Sequence, residues 1–393
     1  MKVGMRSMLI SIIMAVYNNE KYFPLAVKSI VEQNYTDFEL IIIDDGSTDR
    51  TPMIADKIAS GDNRIRVIHQ SNQWIYASFN RGIEEANGEY IYIVNSDDRL
   101  RPGSLALMAE KACGYRPDVI WTKVLMHECD EEQTIISYDY QKMDEWVERE
   151  IYCRDEEAVH KIWPFLFVSS LAQNQANLYR SDLMKRHKFR NDVYGADTLF
   201  NISIASEVKT ALVMKEPVYD FFLYRKEGMN ASAGGYYPYE HQMFNEIYTK
   251  YVKLFSAWDL PEDSYKEFLI SRRIKQISGE AGSLLCQNCA MSTEEKLEYL
   301  LNSIPDKTVR SCAEWGNREE ELESRILSGI RSILLKETIT NESEMYFIYE
   351  LLDSLLRYEK DEADYRKIEA AIWNPRNPVH IGRFFYNKLE KRY

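Results

Sequence analysis

Two short acidic clusters stand near the start of the chain: Asp44-Asp45-Gly46-Ser47 and Asn95-Ser96-Asp97-Asp98. A further acid, Asp197, follows Gly195-Ala196 much later. Carboxylates gathered in one place repel unless a cation or hydrogen-bond donors compensate them. Carboxylate oxygens hold hard divalent cations, above all in company with phosphate oxygens. A single positioned carboxylate can instead take the proton of an attacking hydroxyl. A solvated turn explains Asp44-Asp45-Gly46 taken alone; two such pairs, each closing an apolar run, are harder to explain that way.

The elements that must hold these acids alternate. Leu9–Val16, Phe38–Ile43, Arg64–His69, Tyr90–Val94 and Val119–Thr122 are β-type apolar runs. Between them, Glu20–Gln33 has helical spacing, with Phe23, Ala26, Val27, Ile30 and Val31 on one face. Asp49 is placed to cap a helix running to Ser60. Tyr76–Ala86 reads as a helix that Gly88 ends, and Pro102 suits the first turn of another. Strands alternating with helices predict a mostly parallel sheet covered on both faces. Ligands bind such sheets at the carboxyl ends of the strands, where both acidic clusters fall. Past Arg225 the pattern changes. A Gly/Ala/Ser/Asn segment, Gly228–Gly235, precedes helical runs at Tyr239–Phe255, Pro261–Leu285, Ser292–Ile304, Arg318–Leu335, Ser343–Arg357 and Ala363–Ile372. Their short polar connections predict a helical bundle.

The chain has 393 residues, enough for two domains, and its 45% hydrophobic and 28% charged content is that of a globular protein. A net charge of -13 argues against a general nucleic-acid binder, which would carry a basic face. No apolar run reaches the roughly 20 residues of a spanning helix. Met8–Tyr17, preceded by Lys2 and Arg6, has some marks of a signal peptide but reads better as a strand. The six cysteines are too sparse for a disulfide scaffold, and Cys286-x-x-Cys289 lacks the second pair that a zinc site needs. These features predict a cytoplasmic protein. The segment Asn374–Tyr393 mixes basic and aromatic residues; it either packs back on its own domain or rests on an anionic membrane face.

The segment Ile10–Leu107 resembles the family 2 inverting glycosyltransferases of GT-A fold. The matching strings are SIIMAVYNNEKY, SIVEQNYTDFELIIIDDGSTDRT, then NQW and FNRGIEEANGEYIYIVNSDDRLRPGSL. A later stretch, NQANLYRSDLMKRHKFRNDVYGADTLF, resembles the acceptor-side segment of that family. The resemblance implies an α/β GT-A domain over residues 8–225, Rossmann-like, with a helical domain over residues 226–393 beyond its reach. It implies transfer of one sugar from a nucleoside diphosphate sugar, a UDP-sugar by family expectation, to a saccharide or lipid-linked acceptor in cell-surface polysaccharide or glycoconjugate synthesis. Mg²⁺ or Mn²⁺ would meet the charge that develops on the leaving diphosphate. By the same resemblance, Asp97 is the first choice for the metal ligand and Asp98 the second. Tyr17 would stack on the nucleobase, with Ala15 and Val16 offering backbone groups. Asp44, Asp45, Asn72 and Asn95 would complete the donor site, and Asp197 would be the general base. Asp197 also suits a helix N-cap. Arg225, Lys226 and His241 are candidate cations for the diphosphate.

Four positions depart from the family pattern. Asn95 stands for the first acid of DxD, Trp74 for a glycine, Phe79 for an arginine and Ala196 for the first acid of the base pair. They leave open a weak or inactive protein that binds a nucleotide sugar or glycan on the same fold. The Gln-x-x-Arg-Trp signature of processive synthases is absent, which favours single transfer. The helical half is assigned to acceptor binding, homo-oligomer formation or peripheral contact at the inner membrane face.

Overall fold

The computed structural model describes residues 8–138, 147–168, 174–224 and 235–336. Its sheet has ten strands: β1 (Ile10–Val16), β2 (Phe38–Asp44), β3 (Ile65–His69), β4 (Tyr90–Ile93), β5 (Arg99–Leu100), β6 (Val119–Cys129), β7 (Ile135–Tyr138), β8 (Ile151–Cys153), β9 (Leu178–Arg180) and β10 (Ala211–Tyr224). The main order is β3-β2-β1-β4-β9-β6-β10-β5. β3, β2, β1 and β4 are mutually parallel, whereas β9 runs antiparallel to both β4 and β6. Every residue of β1 and of β4 is buried, so both faces of the sheet are covered there. That is why these strands read as continuous apolar runs rather than as alternating ones. Each fully buried Ile or Val contributes about 1.5–3 kcal/mol relative to exposure.

The helices that follow the first strands are α1 (Phe23–Val31), α2 (Thr51–Gly61), α3 (Ile75–Glu85) and α4 (Ser104–Tyr115). α1 buries Phe23, Ala26, Val27 and Ile30, the face that its spacing predicts. It starts later than expected because Asn19 and Glu20 serve the neighbouring loop: Asn19 N–H donates to Thr51 Oγ1 and Glu20 Oε2 accepts from Arg50 N–H. Asp49 is not the N-cap of α2, which is Arg50; it stands one residue earlier and accepts from Thr51 N–H at 2.9 Å. Gly88 does not end α3, which stops at Glu85. It lets β1 come close, since a Cβ there would lie 2.6 Å from the Ser11 nitrogen. Pro102 likewise falls just ahead of α4, whose N-cap is Gly103.

The rest of the α/β region carries α5 (Glu156–Val168), α6 (Ser181–Arg186) and α7 (Ala196–Ala205). β10 is not evident from the sequence, because Pro217 and the charges beside it read as a break. The structure accommodates that proline at a register shift against β6. After residue 234 the described chain is helical: α8 (Glu240–Ala257), α9 (Lys266–Ser283), α10 (Thr293–Glu298), α11 (Lys307–Gly316) and α12 (Glu319–Lys336). α9 starts later than Pro261 because a short 3₁₀ turn, Glu262–Ser264, comes first. Two compact units result: residues 1–231 with 250–264, and residues 232–249 with 265–393. The helical unit has its own core, in which Ile270, Ile274 and Ile277 of α9 meet Ile326, Ile330 and Ile333 of α12. The helices expected at Ser343–Arg357 and Ala363–Ile372, and the tail Asn374–Tyr393, lie outside the described residues. No helix among the described residues is long and apolar enough to cross a membrane.

Candidate active site

The parallel strands bring Tyr17, Asp44-Asp45, His69 and Asn95 to one edge of the sheet. At the end of β2 the two acids are buried and hold different partners. Asp44 Oδ2 pairs with His69 Nδ1 at 2.7 Å, while its Oδ1 accepts from Ser47 N–H at 3.2 Å. The other ring nitrogen of His69 meets Asp56 Oδ1 at 3.1 Å. Asp44, then Asp56, raise the His69 pKa above its usual value. Asp45 Oδ1 accepts from Gln70 Nε2 at 2.8 Å and from Gln73 N–H at 2.9 Å, which fixes the loop that carries the exposed Asn72. That loop passes so close to Gly46 that a Cβ there would lie 2.7 Å from the Asn72 nitrogen. The Val16 carbonyl accepts from Asp45 N–H, so this acceptor is already engaged within the fold. Ala15 is buried in the middle of the sheet, paired with Ile43. Tyr17, just beyond β1, is half exposed.

The second acidic cluster separates its two carboxylates. Asp98 is fully buried and meets three donors: Phe222 N–H on Oδ1, and the Tyr219 hydroxyl and Asn95 Nδ2 on Oδ2, each at 2.9 Å. The Tyr219 hydroxyl in turn accepts from Asn95 N–H at 3.0 Å. Burial, then the Asp97 charge, push the Asp98 pKa well above the carboxylate range; Phe222, Tyr219 and Asn95 oppose them. With both oxygens committed inward, Asp98 positions the turn, and this geometry does not favour it as a metal ligand. Asp97, its neighbour, is partly exposed and makes no hydrogen bond through its carboxylate to another described residue. Burial alone raises its pKa. Its backbone is clasped by Gln133, whose Nε2 donates to the Asp97 carbonyl at 2.9 Å and to the Tyr224 hydroxyl at 2.8 Å. A hard cation that keeps several waters and phosphate oxygens needs only one or two protein carboxylates. A lone, partly buried carboxylate at a strand end fits that requirement.

Asn95 does not face outward as a weakened metal ligand. Its amide is used at both ends: Nδ2 on Asp98, and Oδ1 accepting from Gln175 Nε2 at 3.1 Å. Gln175 also bridges Ile93 across the sheet edge. Next to it, Asn174 Oδ1 accepts from Asn201 Nδ2 at 2.8 Å, and the same Nδ2 donates to the Asp197 carbonyl at 3.0 Å. A short polar chain thus links the Asp97 turn to the first turn of α7. Sequence reading misses Gln133, Gln175, Asn174, Asn201 and Tyr219, because isolated amides and a tyrosine carry no spacing signal.

Asp197 is partly exposed in that first turn, and its Oδ1 accepts from Thr198 N–H at 2.8 Å. It is not the N-cap, which is Gly195 at φ 87°. Ala196, at the start of α7, is fully buried. Tyr76, at the start of α3, accepts from Gly195 N–H through its hydroxyl at 3.3 Å and stacks on Phe189 at 5.8 Å. Burial, then the Asp197 charge, raise the Tyr76 pKa far above its usual value. Phe79, where the resemblance expects an arginine, is buried beside these rings. Trp74 precedes α3 at φ 76° and ψ 159°, a region almost reserved for glycine. Holding a non-glycine residue there costs about 1–3 kcal/mol.

The candidate cations fare differently from expectation. His241 is buried inside the helical unit, where Nδ1 meets Glu280 Oε2 at 2.6 Å and Nε2 lies 3.3 Å from Asp306 Oδ2. Both nitrogens are engaged there, so it is not available to a diphosphate. Arg225 and Lys226 lie outside the described residues.

Residues 11–170, less than half of the chain, match the family model described as glycosyl transferase family 2. A glycosyltransferase of Streptococcus pneumoniae, GlyG, is 40% identical over 115 residues, which is 29% of this chain and 38% of that protein. The chain therefore spans well under two thirds of that relative. An uncharacterized glycosyltransferase of Bacillus subtilis, EpsJ, is 24% identical over 257 residues, 64% of this chain and 71% of that protein. Among solved structures, S. aureus TarS 1-349 in complex with UDP-GlcNAc superposes with a TM-score of 0.58 at 19% identity, covering 83% of this chain and 90% of that one. At that identity the likeness shows the fold, a GT-A α/β architecture with helices beyond it.

Proposed function

We propose that this chain, whose residues 11–170 match the glycosyl transferase family 2 model, is an inverting glycosyltransferase that moves one sugar from a UDP-sugar to a saccharide or lipid-linked acceptor. The product would enter cell-surface polysaccharide or glycoconjugate. The observation that carries the reading is the separation of Asp97 from Asp98: one carboxylate meets three donors, and its neighbour makes no carboxylate hydrogen bond to another described residue at the binding edge of the sheet. The polar chain from Asn95 through Gln175 and Asn174 to α7 supports placing Asp197 at the same edge.

In this reading Asp97 holds Mg²⁺ or Mn²⁺. The metal, when bound, would supply positive charge to the leaving diphosphate. Asp45 and the loop it fixes, with Asn72, receive the nucleoside end, and Tyr17 offers its ring to the base. Asp44 acts through His69, holding the floor of that site. Asp197 takes the proton of the acceptor hydroxyl as its oxygen bonds to the anomeric carbon. The bond from that carbon to the diphosphate oxygen breaks on the opposite side, which inverts the configuration. The domain assignment, catalytic residues 8–225 and helical residues 226–393, belongs to this proposal, with the helical part serving the acceptor, self-association or a membrane face.

A donor screen that reads released nucleotide, with and without EDTA, tests it. Metal-dependent release of UDP from at least one UDP-sugar is expected. Tight, metal-independent UDP binding without turnover would replace the enzyme reading with that of a binding protein.

A further inference from the structure

Trp74 has features that the reaction as described does not use. Its backbone occupies a region that L-residues avoid, yet the side chain there is the largest available. The residue is held in place from both sides. On one side the Gln73 N–H donates to Asp45 Oδ1 at 2.9 Å. On the other, the Trp74 carbonyl accepts from Ser78 N–H at 3.2 Å and from Ser78 Oγ at 3.3 Å. The indole meets the Tyr76 ring edge-on at 5.8 Å and remains 36% exposed. Tyr76, through its hydroxyl, touches Gly195, two residues before Asp197. Trp74 is therefore linked through its own loop to Asp45, and through Tyr76 to the turn that carries Asp197.

Backbone strain of this kind clusters at active sites and ligand clamps. The position narrows what that surface meets. Between a nucleotide end and a general base lies the group being transferred. An indole face is flat, apolar and weakly negative, and suits the apolar face of a pyranose, whose C–H bonds are polarised positive. We propose that Trp74 is a specificity-determining residue whose ring stacks on the transferred hexose of the donor. This inference rests on the UDP-sugar reading above.

The test compares wild type, Trp74→Gly and Trp74→Phe by calorimetry in Mn²⁺ buffer. The probes are UDP, UDP-glucose, UDP-galactose, UDP-GlcNAc and UDP-GalNAc. Glycine suits the backbone at this position, so Trp74→Gly removes the ring while relaxing the chain; its melting temperature should equal or exceed that of wild type. For the preferred sugar nucleotide, Trp74→Gly should lose about tenfold in affinity, and its UDP affinity should change less than about twofold. Trp74→Phe should recover most of the loss. Equal loss for UDP and the UDP-sugar would place the ring on the nucleoside and overturn the proposal, as would no loss for either. Wild type that binds none of the five nucleotides would instead overturn the donor reading, and this inference with it. As a second readout, 5-fluorotryptophan labelling identifies the Trp74 resonance by its absence from Trp74→Gly. That resonance should shift with the preferred UDP-sugar and stay in place with UDP.

Discussion

At the scale of single residues, Asp97 and Asp98 are adjacent acids with opposite environments, and their variants should behave oppositely. Asp98→Asn turns one oxygen into an NH₂ that must face a donor, either Phe222 N–H or the Tyr219 and Asn95 pair. The Phe222 amide cannot rotate away, so the variant should lose about 1–3 kcal/mol of stability, read as a lower urea midpoint. Asp97→Asn removes no hydrogen bond to another described residue. It should leave stability within about 0.5 kcal/mol of wild type and abolish the metal dependence of UDP-sugar binding in calorimetry. Asp197→Asn makes a third contrast: turnover should fall by about 10²–10⁴, while affinity for the donor stays near wild type. Turnover retained by that variant would remove Asp197 from the mechanism. The DxD-type string could be located from the sequence, but the division of labour inside it could not. That division depends on Tyr219 and Phe222, which reach the turn from a strand that follows it by more than a hundred residues.

At the scale of elements, strand ends and the loops between them set the donor edge. The parallel core β1–β4 was legible because both its faces are buried and its runs are continuously apolar. β10 was not, since its proline is tolerated only through a register shift that no local pattern announces. The link between β2, β3 and α2 was equally hidden, because it runs through one histidine. His69 bridges Asp44 and Asp56, and its folded-state pKa is raised by them. A raised histidine pKa stabilises the fold fully below the unfolded value of about 6.5, and that stabilisation fades as pH rises through the folded value. Stability should therefore decline from about pH 6 into the alkaline range by an increment that His69→Gln lacks; melting temperatures of the two proteins across that range check it. Gly46 governs the neighbouring loop. It has φ 76°, and an added methyl would strike the Asn72 backbone. Gly46→Ala should displace the 70–73 loop, destabilise the protein by about 1–3 kcal/mol and weaken UDP binding, both measurable on one sample.

At the scale of the whole molecule, the helical unit carries an internal polar network as well as its apolar core. The helical pattern of α8 and α9 was readable, but the pairing of their polar residues was not, because each looks in sequence like an ordinary surface position. Arg273 of α9 is 1% exposed. Its Nε donates to Asn245 Oδ1 at 2.9 Å and its Nη1 to Glu280 Oε1 at 2.6 Å; Glu280 also holds His241, and Asn245 donates to Asp306 Oδ2 at 2.7 Å. The network ties α8 and α9 to the cap of α11, whose first turn Asp306 also supports through Val309 N–H. A buried pair of this kind adds little net energy over an apolar one, but removing one partner strands the other charge. Arg273→Ala leaves Glu280 buried without its cation and should cost about 3–5 kcal/mol. The loss should appear as faster amide exchange in peptides from α9 and α11. Arg273→Leu combined with Glu280→Leu removes both charges together and should cost less than the two single variants summed. Additive costs would mean that the two side chains act independently, and that the fixed geometry between α8, α9 and α11 comes from the apolar core alone.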